Sequence, residues 1–494
     1  MRSGGQLGRS GGRHGWKREG GSMDCEAGKA RRSGARAAGD GGRSAWKGSG
    51  GWRGWKGSGG WRGWIGRRGW RRLGWAAAAA ALLAAGCSGA AEPQPDPGPA
   101  VEPIVLEYWT PFSGGDNIFM TDIVEAFNSE HPDIRVEQIN SRLDDYYSRL
   151  RTAILAGNAP DLAIVHATNL PQFVQNGYIE RLDEPAAAAG LDWSQFNANI
   201  VESTLYEQAH YAVPLDTHAL VLYANQAHLR RAGLLGDDGK PLLEPGKEGF
   251  LRFLERLKAS SPPGVAPLAL PSTRIDSVWL WWSLYNQMDG GGAFYSADGG
   301  KAVFDNPQAL EALELVDSLY RKELIPSGIN DAFQLFHDGD AALLVTGMWG
   351  TGAFEQAPGL ELSVVPFPVL YDHAAVWGDT HTLALPAKAG LTPEKRAAAL
   401  TFAKWAVEHG DLWAKAGHVP SSSQVVASEA YARLKFRSDY AEVANDVAYW
   451  PRQVKQWSMI ELLIKEWERM IYRQQTPAEA LRRAQAAVDA ALAK

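Results

Sequence analysis

Cysteine is almost absent from this sequence, with two among 494 residues. Cys25 and Cys87 both lie near the start of the chain, and residues 88 to 494 contain none. A body without cysteine excludes disulfide bonds, a thiolate nucleophile and a thiolate-bound metal there. Long apolar runs are missing too, because no stretch of the body approaches the roughly 18 uncharged apolar residues that predict a membrane-spanning helix.

Excess positive charge is also absent from the body. The whole chain has a formal net charge of −6, whereas residues 1 to 86 carry 18 Lys and Arg against 4 Asp and Glu. The leader is therefore at +14 and the body at −20. An acidic body disfavours nucleic acid as a partner. Its 407 residues exceed what one hydrophobic core usually serves, so we expect two domains.

The first 86 residues predict a low-complexity leader followed by an export signal. Residues 46 to 54 recur as residues 55 to 63, and this Gly/Trp/basic repeat has no apolar periodicity. One interpretation is an RNA-binding arm, in which aromatic rings stack on bases. The other is an extension upstream of a true start near residue 65. The export signal that follows the repeat favours the second interpretation.

The export signal consists of thirteen uncharged residues, 73 to 85, behind a cluster of arginines. This run is shorter than the roughly 20 residues that span a bilayer. Leu83-Ala84-Ala85-Gly86-Cys87 resembles the lipobox of bacterial lipoproteins, although the family usually has Leu where Ala84 stands. The resemblance implies that Cys87 is acylated; an ordinary secretory signal is the alternative. Five prolines in residues 87 to 103 then predict an extended tether.

The body opens with the pattern strand, helix, strand, helix, strand. Short apolar runs at residues 104–109 and 161–166 predict two strands, and alternating apolar and polar residues at 134–138 predict a third. Apolar residues at helical spacing separate them. This order is typical of an α/β protein with a parallel sheet. Ligands in such sheets bind beyond the carboxyl ends of the strands, here residues 109–115 and 166–169.

Beyond residue 216 the pattern becomes mainly helical. It predicts helices at residues 250–259, 277–288, 307–324 and 329–337, and strands at residues 341–345, 362–366 and 381–385.

Six short motifs resemble, in order, the family of extracellular solute-binding proteins of ABC importers, in particular its carbohydrate-binding branch. The motifs are Gly157-Asn158-Ala159-Pro160-Asp161-Leu162, residues 174–183 (VQNGYIERLD), residues 211–216 with 222–225 (YAVPLD, LYAN), Gly347-Met348-Trp349, residues 377–382 (WGDTHT) and residues 417–421 (GHVPS). The similarity runs from about residue 103 to the end.

The resemblance implies a two-lobe periplasmic-binding-protein-like fold with hinge crossings and a cleft between the lobes. We expect lobe 1 to take residues 104–217 and 372–435, and lobe 2 to take residues 218–371 and 436–494. The implied function is capture of a mono- or oligosaccharide and its delivery to membrane permease subunits. We expect a monomer outside the cytoplasm, anchored to the cell membrane through Cys87.

The candidate ligand-binding residues combine aromatic rings, which cover the C–H faces of a sugar, with polar groups that pair with its hydroxyls. Backbone N–H groups before a predicted helix add two positions. The set is Trp109, Ser113, Gly114, His166, Asp216, His218, Trp281, Trp282, Trp349, Trp377, Asp379 and His381. Five further tryptophans are assigned to packing, namely Trp279, Trp405, Trp413, Trp457 and Trp467.

Three other functions stay open. An exported glycoside hydrolase would use a carboxylate pair such as Asp216 and Asp379. A metal-binding lipoprotein would use His166, His218 and His381, but the sequence has no closely spaced histidine pair with a carboxylate at ligand spacing. A binder of polyamines, amino acids or anions would use the same scaffold. We favour the sugar-binding protein, without catalysis, cofactor or metal.

Overall fold

The computed structural model describes residues 102–112 and 115–494. The leader, the export signal, Cys87 and nearly all of the tether lie outside these residues. The described strands are β1 (Ile104–Thr110), β2 (Ile134–Asn140), β3 (Leu162–His166), β4 (Leu205–Tyr206), β5 (Ala209–His210), β6 (Ala212–Pro214), β7 (Asp216–Asn225), β8 (Ala266–Ala269), β9 (Ala341–Gly347), β10 (Leu362–Pro366), β11 (Val376–Asp379), β12 (His381–Ala384), β13 (Val419–Pro420) and β14 (Val447–Ala448).

The α-helices are α1 (Asn117–Glu130), α2 (Leu143–Leu155), α3 (Leu170–Gln175), α4 (Asp183–Ala188), α5 (Ala198–Thr204), α6 (Gln226–Ala232), α7 (Gly246–Ser260), α8 (Asp276–Asn286), α9 (Pro307–Arg321), α10 (Ala332–His337), α11 (Thr351–Glu355), α12 (Pro393–Glu408), α13 (Gly410–Ala414), α14 (Ser423–Val426), α15 (Glu429–Ala432), α16 (Arg437–Tyr440), α17 (Gln456–Ile471) and α18 (Pro477–Leu492). Within the described ranges, no helix combines the length and apolarity that crossing a membrane requires.

A five-stranded sheet in the order β2-β1-β3-β12-β6 forms the centre of the first lobe. β1 pairs in parallel with β2 and β3, while β12 runs antiparallel to β3 and β6. Successive side chains of a strand point to opposite faces. Leu162 and Ile164 accordingly join one hydrophobic cluster, with α1 and α12, and Ala163 and Val165 join another, with α2 and α3. Both faces of the sheet are therefore covered.

A seven-stranded sheet forms the centre of the second lobe. Its main path is β14-β11-β7-β9-β8, with β10 and β13 also paired to β7. Every residue of β7 and β9 is buried, as expected for central strands covered on both faces. The helices α7 to α9, α17 and α18 contribute to the single large hydrophobic cluster around this sheet.

Three chain segments meet where the two sheets join, and we call residues 214–218, 378–382 and 417–421 the crossing region. The chain leaves the five-stranded sheet after Pro214 and enters β7 at Asp216, then returns from β11 to β12 through Thr380. The Leu215 N–H donates to the His381 carbonyl oxygen at 2.8 Å, and the Ser421 N–H donates to the Leu215 carbonyl oxygen at 3.2 Å. These hydrogen bonds hold the three segments side by side.

The predicted elements agree with the structure in type, and most ends agree within a few residues. The structure adds a ten-residue strand, β7, and the strand β8, where the sequence predicts mainly helices. β7 lacks the alternation of apolar and polar residues that marks a half-buried strand, because it is buried on both faces. The lobe boundaries at residues 217, 372 and 436 stay predictions.

Candidate functional site

The crossing region brings titratable side chains from distant parts of the sequence together. Asp216 begins β7, His218 follows it by two residues, His381 begins β12, and His418 directly precedes β13. All four side chains are buried, and their ligand-type atoms lie within 4.8 Å of one another. We call these four residues the histidine–aspartate cluster.

Asp216 is the centre of this cluster and has no solvent exposure. Its Oδ1 accepts from the His381 backbone N–H at 3.0 Å and lies 3.4 Å from the His218 Nδ1. Its Oδ2 lies 2.8 Å from the His381 Nδ1 and accepts from the Trp413 indole N–H at 2.5 Å. An ionised carboxylate has about four acceptor sites. Protein groups therefore contact both carboxylate oxygens of Asp216.

The electrostatics of the cluster favour a charged carboxylate at Asp216. Burial opposes ionisation of Asp216, but the neighbouring His381, His418 and His218 outweigh it and hold the pKa of this carboxyl well below its usual range. Burial lowers the pKa of His381 to about 4, although Asp216 acts in the opposite direction. Burial and the nearby His381 and His218 also lower the pKa of His166.

His166 closes the cluster on the side of the first lobe. Its ring is half-buried at the end of β3, with the centroid 4.6 Å from that of His381. The Tyr147 hydroxyl lies 2.5 Å from the His166 Nδ1 and accepts from the His166 backbone N–H at 2.9 Å. This contact connects α2 to the carboxyl end of β3.

An aromatic wall of Trp279, Trp349 and Trp377 borders the cluster on the side of the second lobe. Trp279 and Trp377 stack with centroids 3.9 Å apart, and Trp349 meets Trp279 edge to face at 5.9 Å. The His218 ring contacts Trp349 at 5.6 Å. The indole N–H groups of Trp279 and Trp377 are buried and have no acceptor within the described residues.

A hydroxyl-lined cavity of about 110 Å³ lies beside the crossing region. Thr168, Asn199, Ser203, Tyr449 and Arg452 are among the residues that line it. The Tyr449 hydroxyl lies 2.9 Å from the Thr217 Oγ1 and 3.1 Å from the Thr380 Oγ1. Ligand pockets usually have volumes of about 300 to 1,000 Å³, so a sugar enters this cavity only if the lobes separate.

Asp379 connects the two sheets beside this cavity. Its Oδ2 accepts from the Thr168 hydroxyl at 2.7 Å, and its Oδ1 accepts from the backbone N–H groups of Thr168 and Thr380 at 3.2 and 2.9 Å. Burial raises the pKa of this carboxyl, while His218 acts against that rise. Asp379 thus caps the turn that follows β3.

Trp281 and Trp282 correct the sequence interpretation, because α8 turns them into the hydrophobic core. Trp281 is fully buried against Tyr285 and Trp467 and donates to the Ala309 carbonyl oxygen at 2.9 Å. Trp282 stacks on Trp450 and donates to the Ala448 carbonyl oxygen at 2.8 Å. The residue that α8 presents to the site is Trp279, which the sequence interpretation assigns to packing.

The remaining candidates lie at the edge of the site or outside the described residues. Trp109 is half-buried at the end of β1, and the Arg149 guanidinium lies 5.7 Å from its ring centroid. Ser113 and Gly114 are not among the described residues. The next residue, Gly115, lies so close to Ala353 that a Cβ on Gly115 would overlap the Ala353 side chain. The loop after β1 therefore approaches α11.

Sequence reasoning missed His418 and Trp413 as members of the site. His418 is fully buried, and its ring stacks on Trp413 with centroids 4.4 Å apart. A signal for His418 was present, because it lies in the motif at residues 417–421. Trp413 gave no such signal, since a tryptophan on an amphipathic helix usually packs in a core.

The two sheets, their crossings and the site between them define a two-lobed binding protein with a cleft. The family model described as bacterial extracellular solute-binding protein matches residues 122–436. Because this match covers more than half of the chain, the protein belongs to that family.

Individual relatives are distant in sequence. The chain is 23% identical over 246 residues to a lactose-binding protein of Rhizobium radiobacter, covering 48% of this chain and 55% of the relative. It is 28% identical over 333 residues to an uncharacterized lipoprotein of Streptomyces antibioticus, covering 65% of each. The chain thus spans between 55% and 65% of the length of these two curated relatives.

A solved structure is similar in fold. It is an ABC substrate-binding protein from Listeria monocytogenes in complex with cycloalternan, with a TM-score of 0.69 and 18% identity. The match covers 79% of this chain and all of that chain. At this identity the similarity concerns the fold, which is the expected two-lobe α/β architecture.

Proposed function

We propose that this protein is the substrate-binding lipoprotein of an ABC sugar importer. It captures a mono- or oligosaccharide between its two lobes and delivers it to membrane permease subunits. The observation that carries the proposal is the aromatic wall, whose stacked Trp279 and Trp377 hold two buried indole N–H groups without acceptors among the described residues. A sugar supplies C–H faces for the rings and hydroxyl oxygens for the N–H groups.

The hydroxyl-lined cavity supports a neutral, polar ligand. The hydroxyls of Thr168, Ser203 and Tyr449 border it, and each can both donate and accept. The ligands of two similar proteins agree with this chemistry, since one relative is a lactose-binding protein and the structural neighbour is in complex with cycloalternan.

Within this proposal the site residues have two kinds of role. The half-buried His166, Trp279 and Trp349 contact the ligand directly when the lobes open and close around it. The sequence adds Trp109, Ser113 and Gly114 to the proposed ligand contacts. Asp216, His218 and His381 support this surface from behind, because their polar atoms already contact one another.

The proposed function includes no catalysis. A glycoside hydrolase needs a carboxylic acid and a second carboxylate that can both act on the substrate. Asp216 and Asp379 both use their oxygens for hydrogen bonds with protein groups. We therefore expect no products when the protein is incubated with oligosaccharides.

A thermal-shift screen tests the proposed function. A saccharide present at about 100 times its dissociation constant should stabilise the folded protein by about 2.7 kcal/mol. Monosaccharides, disaccharides and longer oligosaccharides form the test panel, and spermidine, amino acids and phosphate form the control panel. Stabilisation by a control compound, with none by any saccharide, would contradict the proposal.

A further inference from the structure

Three histidine rings each direct their Nδ1 atom toward one carboxylate, that of Asp216. The Nδ1 atoms of His218, His381 and His418 lie 3.4, 2.8 and 3.4 Å from the nearest oxygen of Asp216. The residues come from three segments of the chain, around positions 216, 381 and 418, so no short sequence motif reveals them. All four side chains are at most 5% exposed.

Within this group, the ring nitrogens of His418 lack hydrogen-bond partners among the described residues. His418 has no solvent exposure, and neither of its ring nitrogens makes a hydrogen bond with any described residue, although its Nε2 lies 3.8 Å from the Asp116 Oδ2. Its Nδ1 faces the Asp216 Oδ2, but that oxygen already interacts with the Trp413 indole N–H and the His381 Nδ1. Leaving a buried polar group unpaired costs about 1 to 3 kcal/mol.

We propose that Asp216, His218, His381 and His418 bind one Zn²⁺ ion in the crossing region. Zinc in proteins is commonly held by four ligands in a tetrahedron, at about 2.0 to 2.2 Å from nitrogen and carboxylate oxygen. Neighbouring ligand atoms are then about 3.4 Å apart. The distances from Asp216 to the Nδ1 atoms of His218 and His418 have this value, and the whole set lies within 4.8 Å. The distance to the His381 Nδ1 is 2.8 Å, so zinc binding requires this ring to move away from the carboxylate by about 0.6 Å.

The surroundings of the cluster supply the outer contacts that zinc ligands need. The Trp413 indole N–H and the His381 backbone N–H both donate to the Asp216 carboxylate and fix its orientation. Such outer partners typically change metal affinity by about 10- to 100-fold. Trp413 is therefore a positioning residue for the metal site.

A zinc ion at this position would hold the crossing region together. Its ligands lie on β7, at the start of β12 and directly before β13, which are the segments that connect the two sheets. This role does not rest on the proposed sugar function.

Metal content and spectroscopy test the proposal on the full chain without a polyhistidine tag. The protein is stripped with a chelator, incubated with Zn²⁺ or Co²⁺ and freed of excess metal. We expect one Zn²⁺ per chain by elemental analysis and the intense visible absorption of tetrahedral Co²⁺. No retained metal, or the weak absorption of octahedral Co²⁺, would overturn the proposal.

Variants locate the site. We expect His418→Gln and His218→Gln to lose stoichiometric zinc, and Trp413→Phe to weaken zinc binding by about 10- to 100-fold. The matched control is His210→Gln, because His210 also contacts a carboxylate, Asp183, at 2.9 Å but lies outside the cluster. Unchanged zinc affinity in both His418→Gln and Trp413→Phe would refute the site.

Two further readouts keep the test decisive. Circular dichroism of the metal-free variants establishes folding, and if a histidine variant does not fold, the cobalt spectrum and the Trp413→Phe affinity decide. Saccharide-induced thermal shifts are measured separately on the same samples. A protein that responds to a sugar but retains no zinc contradicts this proposal alone, and the reverse result contradicts only the proposed function.

Discussion

For Asp216 the sequence predicts a ligand-binding carboxylate, whereas the structure shows a buried carboxylate that protein groups contact. The sequence indicates a carboxylate that accepts sugar hydroxyls, because Asp216 follows a Pro-Leu pair at an expected lobe crossing. The structure surrounds this carboxylate with His381, His218 and Trp413, which contact both of its oxygens. A buried charge persists only when such partners compensate for its lost hydration.

Trp349 provides the residue-scale test of ligand binding. Its ring is half-buried at the edge of the aromatic wall, so Trp349→Ala removes a stacking surface without opening a central core. Stacking contributes about 0.5 to 1.5 kcal/mol beyond the area buried, which corresponds to up to about tenfold in affinity. Isothermal titration with a saccharide that stabilises the wild type measures this loss.

The matched control is Trp457→Ala, because the Trp457 side chain is 41% exposed. We expect it to leave the affinity unchanged. If Trp349→Ala binds as tightly as Trp457→Ala but has a much lower melting temperature, Trp349 belongs to the core.

At the scale of elements, the buried carboxylate of Asp161 connects three segments of the first lobe through hydrogen bonds and ion pairs. Asp161 directly precedes β3, is 2% exposed and accepts from the Glu107 N–H of β1 at 2.9 Å. Lys388 and Lys395 approach its oxygens at 2.6 and 3.1 Å. Burial acts to raise the pKa of Asp161, but the bonds to Lys388, Glu107 and Lys395 outweigh burial and lower it.

The direction of this shift predicts a pH dependence. A carboxyl with a lowered folded-state pKa contributes stability above its unfolded pKa of about 3.9 and loses it as the pH falls through the folded value. We expect Asp161→Asn to lower the free energy of unfolding by about 2 kcal/mol at pH 7. The difference from wild type should shrink below about pH 4.

Urea unfolding across this pH range measures the effect. Glu137→Gln is the control, because Glu137 pairs with Arg135 on the exposed face of β2 and should change stability by no more than about 0.5 kcal/mol. A difference for Asp161→Asn that is constant from pH 7 to pH 3 would show that the charge is not responsible.

Gly417 permits the close approach of its segment to the second lobe. Its φ of +130° is one that other residues rarely adopt, and a Cβ would overlap the Met348 carbonyl oxygen. Strain of this kind costs about 1 to 3 kcal/mol before the overlap is counted. We therefore expect Gly417→Ala to lower the melting temperature strongly.

Gly390→Ala is the control for that measurement. Gly390 does not have a positive φ, and a Cβ there would meet nothing within 4 Å. Equal melting temperatures of the two variants would mean that the approach of Gly417 to Met348 does not constrain the fold.

At the scale of the whole molecule, the fold has two lobes, and under the proposed function a ligand binds between them while an anchor at Cys87 keeps this body at a membrane. Ligand binding favours the closed arrangement to the extent that the ligand contacts both lobes.

Cell fractionation tests the anchor. If Cys87 is acylated, Cys87→Ala should move the protein from the membrane fraction to the soluble fraction, because its thioether-linked lipid is lost. Ser88→Ala is the matched control, since it changes the neighbouring residue, keeps the cysteine and should leave the protein on the membrane. Retention of Cys87→Ala on membranes would contradict acylation.

The sequence by itself determined the order and type of most elements, such as β1, α1, β2 and α2, because these depend on residues two to four positions apart. Its motifs also identified the family and pointed to Asp216, His381 and Trp349. Only the tertiary structure decided which tryptophans of α8 enter the core and that Trp413 and His418 meet Asp216. The physical reason is that the contacts of Asp216 with Trp413 and His418 join residues about 200 positions apart through the pairing and register of two sheets, which local periodicity does not encode.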